Sequence, residues 1–117
     1  MVHQCVLYLF TVAPEVSVQA ASNPIGEGSQ LTLTCEVEEG NPAEFTSQFW
    51  EFEPKYPDTQ SQALPGQREN RELRIERAVY GDAGIYRCTA GNTIGSDAAE
   101  MQIVVHCKYK FSHKIKA

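Results

Sequence analysis

The sequence predicts an all-β domain, a sandwich of two antiparallel sheets with about seven strands. Three observations carry this. Apolar and polar residues alternate with a period of two in one segment after another. Most connections between those segments are short and hold turn-forming clusters such as Ser22-Asn23-Pro24 and Gly40-Asn41-Pro42. No segment repeats its apolar residues at helical spacing. Sheets with one apolar face must bury it against another layer, and a second sheet is what this chain has to offer.

The first strand follows Pro14, with Val16 and Val18 on one face, and ends at the cluster Ser22 to Gly26. In the next, Leu31, Leu33, Cys35 and Val37 point one way while Thr32, Thr34 and Glu36 point the other. That is a half-buried antiparallel strand with an unambiguous inner face. Glu39-Gly40-Asn41-Pro42 breaks the chain, and a strand from about Thr46 to Glu53 then sets Gln48, Trp50 and Phe52 inward. Residues 54–70, rich in Pro, Gln, Asp and Gly, read as a loop with at most one short edge strand. Leu73 and Ile75 alternate with Glu72, Arg74 and Glu76, and Tyr80-Gly81-Asp82-Ala83-Gly84 makes a tight connection. Tyr86, Cys88 and Ala90 line the following inner face; Met101, Ile103 and Val105 line the last.

At 117 residues there is room for one domain, and 42% apolar residues make it globular. All 15 acidic residues precede position 107 with only six of the ten basic ones, so the body carries −9. An acidic body repels phosphate backbones, which argues against nucleic acid as a partner. Residues 106–117 form a basic tail with Lys108, Lys110, Lys114 and Lys116, read as a solvated end. Residues 1–13 form an apolar segment with two readings. Cys5 to Phe10 followed by Thr11-Val12-Ala13 suits a signal remnant. The absence of Lys or Arg ahead of it and Pro14 behind it suit a leading strand or an end not native to the domain.

Cys35, Trp50, Leu73 and the run Asp82-Ala83-Gly84-Ile85-Tyr86-Arg87-Cys88 form the strongest constellation. Through these residues the stretch 14–105 resembles the immunoglobulin superfamily. The resemblance implies a Greek-key sandwich in which Cys35 and Cys88 bridge the sheets and Trp50 packs on the bridge. It also implies that the Tyr86 phenol bonds back to backbone near Tyr80–Asp82. Closing the Cys35–Cys88 loop contributes about 4 kcal/mol in the chain-entropy account. Only 22 residues separate Trp50 from Leu73, too few for the extra strand pair of a variable-type domain, so the subtype resembles the intermediate or constant-like set. Ala90-Gly91-Asn92-Thr93-Ile94-Gly95 resembles a hairpin common in the intermediate set. Glu27-Gly28 and Gly40-Asn41-Pro42 resemble repeats of tandem cell-surface adhesion receptors of the nephrin and sialoadhesin kind.

That resemblance implies a non-catalytic protein-binding module of a cell-surface or secreted adhesion protein, one repeat of a longer chain. Its partner would be a protein ligand or a like domain bound homophilically, with the membrane reached only through the parent chain. The alternative is an intracellular structural domain of muscle-scaffold type with both cysteines reduced. The candidate binding face is the outer side of the sheet that holds Trp50, Cys88 and Met101. Its outward positions are Phe49, Glu51, Ile85, Arg87, Gln102 and Val104, with Phe49 beside Ile85 and Arg87 as an apolar patch with a charged rim.

No enzyme, small-molecule substrate, cofactor or metal is expected. His3, His106 and His113 lie in terminal segments without a supporting shell. The spacing of Cys107 with His106 and His113 matches no zinc pattern. Glu36, Glu38, Glu39, Glu44, Glu51 and Glu53 mostly alternate outward on separate strands instead of converging on calcium. Cys5 and Cys107 read as unpaired or interchain thiols, because the strand ends they adjoin lie at opposite poles of such a sandwich.

Overall fold

Period-two alternation becomes sheet wherever a strand can bury its apolar side. In the computed structural model, which describes residues 11–42, 46–63 and 70–107, eight strands form this way. They are β1 (Glu15–Ala20), β2 (Ile25–Gly26), β3 (Leu31–Glu38), β4 (Ser47–Pro54), β5 (Glu72–Ile75), β6 (Gly84–Gly91), β7 (Ser96–Ile103) and β8 (Val105–His106). One antiparallel sheet has the order β1-β3-β5 and the other β4-β6-β7. The chain changes sheet between β3 and β4, between β4 and β5 and again between β5 and β6, so that within these two sheets only β6 and β7 are neighbours both in the sheet and along the chain.

Alternation decides which side of each strand is inside. On β3, Leu31, Leu33 and Cys35 are buried while Glu36 and Glu38 face solvent. Leu33 stands opposite Leu73 and Leu31 opposite Ile75, so β5 extends the same apolar floor. From the other sheet come Trp50, Tyr86, Cys88 and Ile103, each at most 1% exposed. Burying a large side chain of this kind contributes about 1.5–3 kcal/mol, and this is the main driving term of the fold. Cys35 and Cys88 join the two layers in a disulfide with Cα atoms 6.1 Å apart. Trp50 lies directly opposite Cys88, and its indole N–H donates to Asn70 O at 2.6 Å. That bond satisfies the one polar atom of a fully buried ring.

The 3-10 turn Tyr80–Asp82 leads into β6 and is built around a buried carboxylate. Asp82 Oδ2 accepts from Val79 N–H at 2.8 Å, while Oδ1 accepts from Gln62 N–H at 2.7 Å and from the Ser61 hydroxyl at 3.1 Å. The Tyr86 hydroxyl donates to the Asp82 carbonyl at 2.6 Å, back to the turn that the resemblance implied. Immediately after the turn, Gly84 has φ +155, and a Cβ there would run into Glu53 O and Phe52 Cε1. Only glycine fits this crossing of β6 past β4.

Two features depart from the sequence reading. The stretch read as a turn cluster contains β2, and the last strand breaks at Val104 to give β8; β2 and β8 pair in parallel. Asn23 holds the break open: its side-chain amide donates to Gln102 O at 2.8 Å, and its Oδ1 accepts from Val104 N–H at 3.1 Å. The first strand thus pairs with β3 through β1 and with the opposite layer through β2. Two-residue strands have no periodicity, so alternation could not announce them. Between Pro54 and Glu72 the described residues form turns and bends, with no further strand among them. Cys5, Glu44, the tail lysines, His3 and His113 lie outside the described residues; Cys107 is a free, exposed thiol.

Candidate protein-binding face

The outer side of β4-β6-β7 can be read as a grid, because the register puts outward residues in rows across three strands. One row is Phe49, Thr89 and Ala98; the next is Glu51, Arg87 and Glu100; the third is Glu53, Ile85 and Gln102. Each position is outward for the reason its neighbours are inward. Trp50, Phe52, Tyr86 and Cys88 go to the core, so the residues between them cannot.

The central row is an ion-pair chain. The Arg87 guanidinium lies 3.1 Å from Glu100 and 3.8 Å from Glu51, with all three side chains about half exposed. Pairs this exposed contribute about 0–1 kcal/mol each, so they orient the arginine more than they stabilise the fold. A shallow groove of about 250 Å³ runs along the face, lined by Glu51, Phe52, Glu53, Ile85, Arg87 and Glu100.

Three placements correct the sequence expectation. Phe49 does not sit beside Ile85: they lie two rows apart, about 13 Å at strand spacing, with the Glu51-Arg87-Glu100 row between them. The apolar patch is therefore split, and each half-buried apolar side chain stands alone beside charge. Phe49 has Thr89 opposite, and Arg87 has Glu51 opposite. Val104 is not on this sheet at all. It lies between β7 and β8, its N–H bonded to Asn23 and its carbonyl accepting from Ile25 N–H, with 39% of its surface exposed.

The pole where β6 turns into β7 is braced by a residue whose work the sequence reading did not assign. Asn92, 6% exposed, donates to the carbonyls of Val12 and Pro42 at 2.8 and 2.9 Å. Its Oδ1 accepts from the N–H groups of Ile94 and Gly95 at 2.9 and 3.2 Å. One amide thus ties three chain segments together. Its place in the Ala90-to-Gly95 motif was the available signal. At the opposite pole Tyr56 and Tyr80 stack with centroids 4.4 Å apart, and a hydrogen bond with Tyr56 is the largest of the effects that push the Tyr80 phenol up to about 12. Among the described residues no three His, Cys, Asp or Glu side chains converge as metal ligands would.

Two three-stranded sheets bolted by an inter-sheet disulfide, a buried Trp on the bond and a Tyr anchored to the preceding turn define an immunoglobulin-type sandwich. The family described as "Immunoglobulin domain" matches residues 13–92, and the chain belongs to that family. Cell adhesion molecule 2 of Rattus norvegicus is 36% identical over 93 residues, 80% of this chain and 20% of its own length. Palladin of Mus musculus is 34% identical over 95 residues, 80% of this chain and 6% of its own. Among solved structures, the full ectodomain (Ig1-Ig3) of mouse nectin-like molecule 4 superposes with TM-score 0.63 at 26% identity, covering 84% of this chain and 32% of that one. The chain thus spans about a fifth of the adhesion molecule that it matches.

Proposed function

We propose that this chain is a non-catalytic protein-binding module of a cell-surface or secreted adhesion protein, one repeat of a multi-domain parent, which engages its partner through the outer face of β4-β6-β7. The observation that carries the reading is the similarity to cell adhesion molecule 2 across 80% of the chain. Supporting it, the face offers Phe49 and Ile85 as apolar anchors around an oriented Arg87, the residue types that carry most interface energy when desolvated. Localisation outside the cell is supported by the Cys35–Cys88 bond, a linkage that persists in oxidising compartments.

A second reading, an intracellular structural domain of scaffold type, has the match to palladin in its favour. Non-reducing mass spectrometry of protein from its native source separates the two. An intact Cys35–Cys88 bond is expected; two free core thiols sink the extracellular reading. For the face itself, F49A, I85A and R87A are each expected to reduce binding of the labelled domain to cells of its source tissue by at least about fivefold. E36Q on the other sheet leaves it unchanged. Three inert variants dispose of the face.

A further inference from the structure

We infer that the outer face of β4-β6-β7 docks a different protein with a basic surface, and that two copies of this domain do not dock there on each other. The inference rests on the reading of this face as the binding surface, and it concerns the partner's chemistry. Three carboxylates, Glu51, Glu53 and Glu100, stand on the face against the Arg87 guanidinium and, at its edge beside Glu53 and Ile85, Lys55, leaving it net −1. Arg87 is already held by Glu51 at 3.8 Å and Glu100 at 3.1 Å, whereas Glu53 enters none of the ion pairs among the described residues. Arg87 is therefore committed within its own copy, and with Lys55 counted the excess charge of the face is still negative. The groove of about 250 Å³ brings Ile85 into the same depression as the three carboxylates. A surface that fits places Lys or Arg over the carboxylates and apolar atoms over Ile85.

The same face of a second copy cannot supply this. A twofold contact is isologous, so the same patch meets itself and brings like charges together. On the opposite sheet the β1–β3 side is acidic as well: Glu15 faces Glu38, with Glu36 opposite Ser17, all three carboxylates exposed, and Arg74 on β5 is paired with Glu72 of its own strand. Steering follows the same sign, since a net negative surface speeds encounter with basic partners and slows encounter with copies of itself.

The test uses sedimentation velocity on the full chain, with a second copy carrying E51K/E53K/E100K as the basic probe. These positions are exposed, and circular dichroism verifies that the probe folds. The wild-type chain is expected to stay monomeric at 100 µM in 50 mM NaCl, an experimental condition chosen so that charge is weakly screened, on the order of a 14 Å screening length. Wild type mixed with probe is expected to form a complex that weakens at least about tenfold in 300 mM NaCl and at least about fivefold when I85A replaces the wild type. A wild-type homodimer abolished by the E51K/E53K/E100K changes overturns the inference, and so does a mixture that stays dissociated or is indifferent to salt. If either result accompanies lost cell binding in F49A and I85A, the face stands and only the partner's charge is wrong. If cell binding survives those variants, the face itself falls.

Discussion

Replacing Asp82 by Ala tests whether a buried acceptor, and not only the apolar core, holds the two sheets at their lower end. The carboxylate is fully buried and accepts hydrogen bonds from three neutral donors, Val79 N–H, Gln62 N–H and the Ser61 hydroxyl, at 2.8, 2.7 and 3.1 Å. Alanine leaves two backbone N–H groups without that acceptor in a part-buried site. At about 1–3 kcal/mol for each stranded group, the loss is about 2–6 kcal/mol. Against a total of about 5–15 kcal/mol for a domain, that is a large share. D82N is the sharper variant, because its amide keeps one acceptor oxygen for Gln62 and Ser61 but turns a donor toward Val79 N–H. Its expected cost is about half that of D82A, since one group is stranded instead of two.

Urea unfolding followed by Trp50 fluorescence reads this directly. Trp50 is the sole tryptophan and is 0% exposed. With a slope of about 1–3 kcal/mol per molar, unchanged between variants, the D82A midpoint should fall by at least about 0.7 M and the D82N midpoint by roughly half as much. S61A removes only the hydroxyl and should cost about 1 kcal/mol. The reasoning is refuted if D82A costs less than about 1 kcal/mol, or if D82N is no better than D82A, which would make the negative charge and not the acceptor geometry the stabilising element.

Other outcomes follow from the same core. C35A/C88A should lose about 4 kcal/mol in urea while keeping its sheet signal by circular dichroism, since the bond closes a loop between residues 53 apart. Gly84→Ala should cost at least about 2 kcal/mol, read as a shift in thermal midpoint, because Glu53 O and Phe52 Cε1 occupy the space a Cβ needs. Stability should fall as pH rises above 10. Burial first, and the Asp82 charge second, push the Tyr86 phenol above its ordinary 10.0, so the folded state holds a proton that the unfolded state releases. That contribution is complete below pH 10 and lost above it; urea midpoints at pH 8 and pH 11 should diverge less in Y86F than in wild type. Tyr80 leaves Y86F a residual slope of the same sign.

Inner faces were legible because a one-residue shift would expose every apolar side chain of a strand, and the alternation of β3 from Leu31 to Val37 permits only one choice. Register was not. A shift by two residues leaves every side chain on its own face, so alternation cannot tell Phe49 opposite Thr89 from Phe49 opposite Ile85. The available signal was Trp50. A ring that packs on the bridge belongs opposite Cys88, and that one pairing places Glu51 opposite Arg87. Asp82 was legible as a signature residue but not in its work, because two of its donors, Ser61 and Gln62, sit 21 and 20 residues away in an aperiodic loop. β2 and β8 were too short to carry any pattern.

Strand β6 shows why fold and recognition can vary separately here while staying aligned in space. Tyr86 and Cys88 face inward from it, Ile85 and Arg87 outward, and the pleat allows no other assignment. The inward set is constrained by the disulfide, the Tyr86–Asp82 bond and fully buried packing, where changes cost several kcal/mol. The outward set makes exposed ion pairs, each contributing about 0–1 kcal/mol. Outward charge can therefore be rewritten with little effect on stability. Because both sets hang on one backbone, each outward side chain keeps a fixed place relative to the bridge. If this face docks a basic partner as proposed, reversing Glu51, Glu53 and Glu100 should invert the charge selected while leaving the urea midpoint nearly where it was.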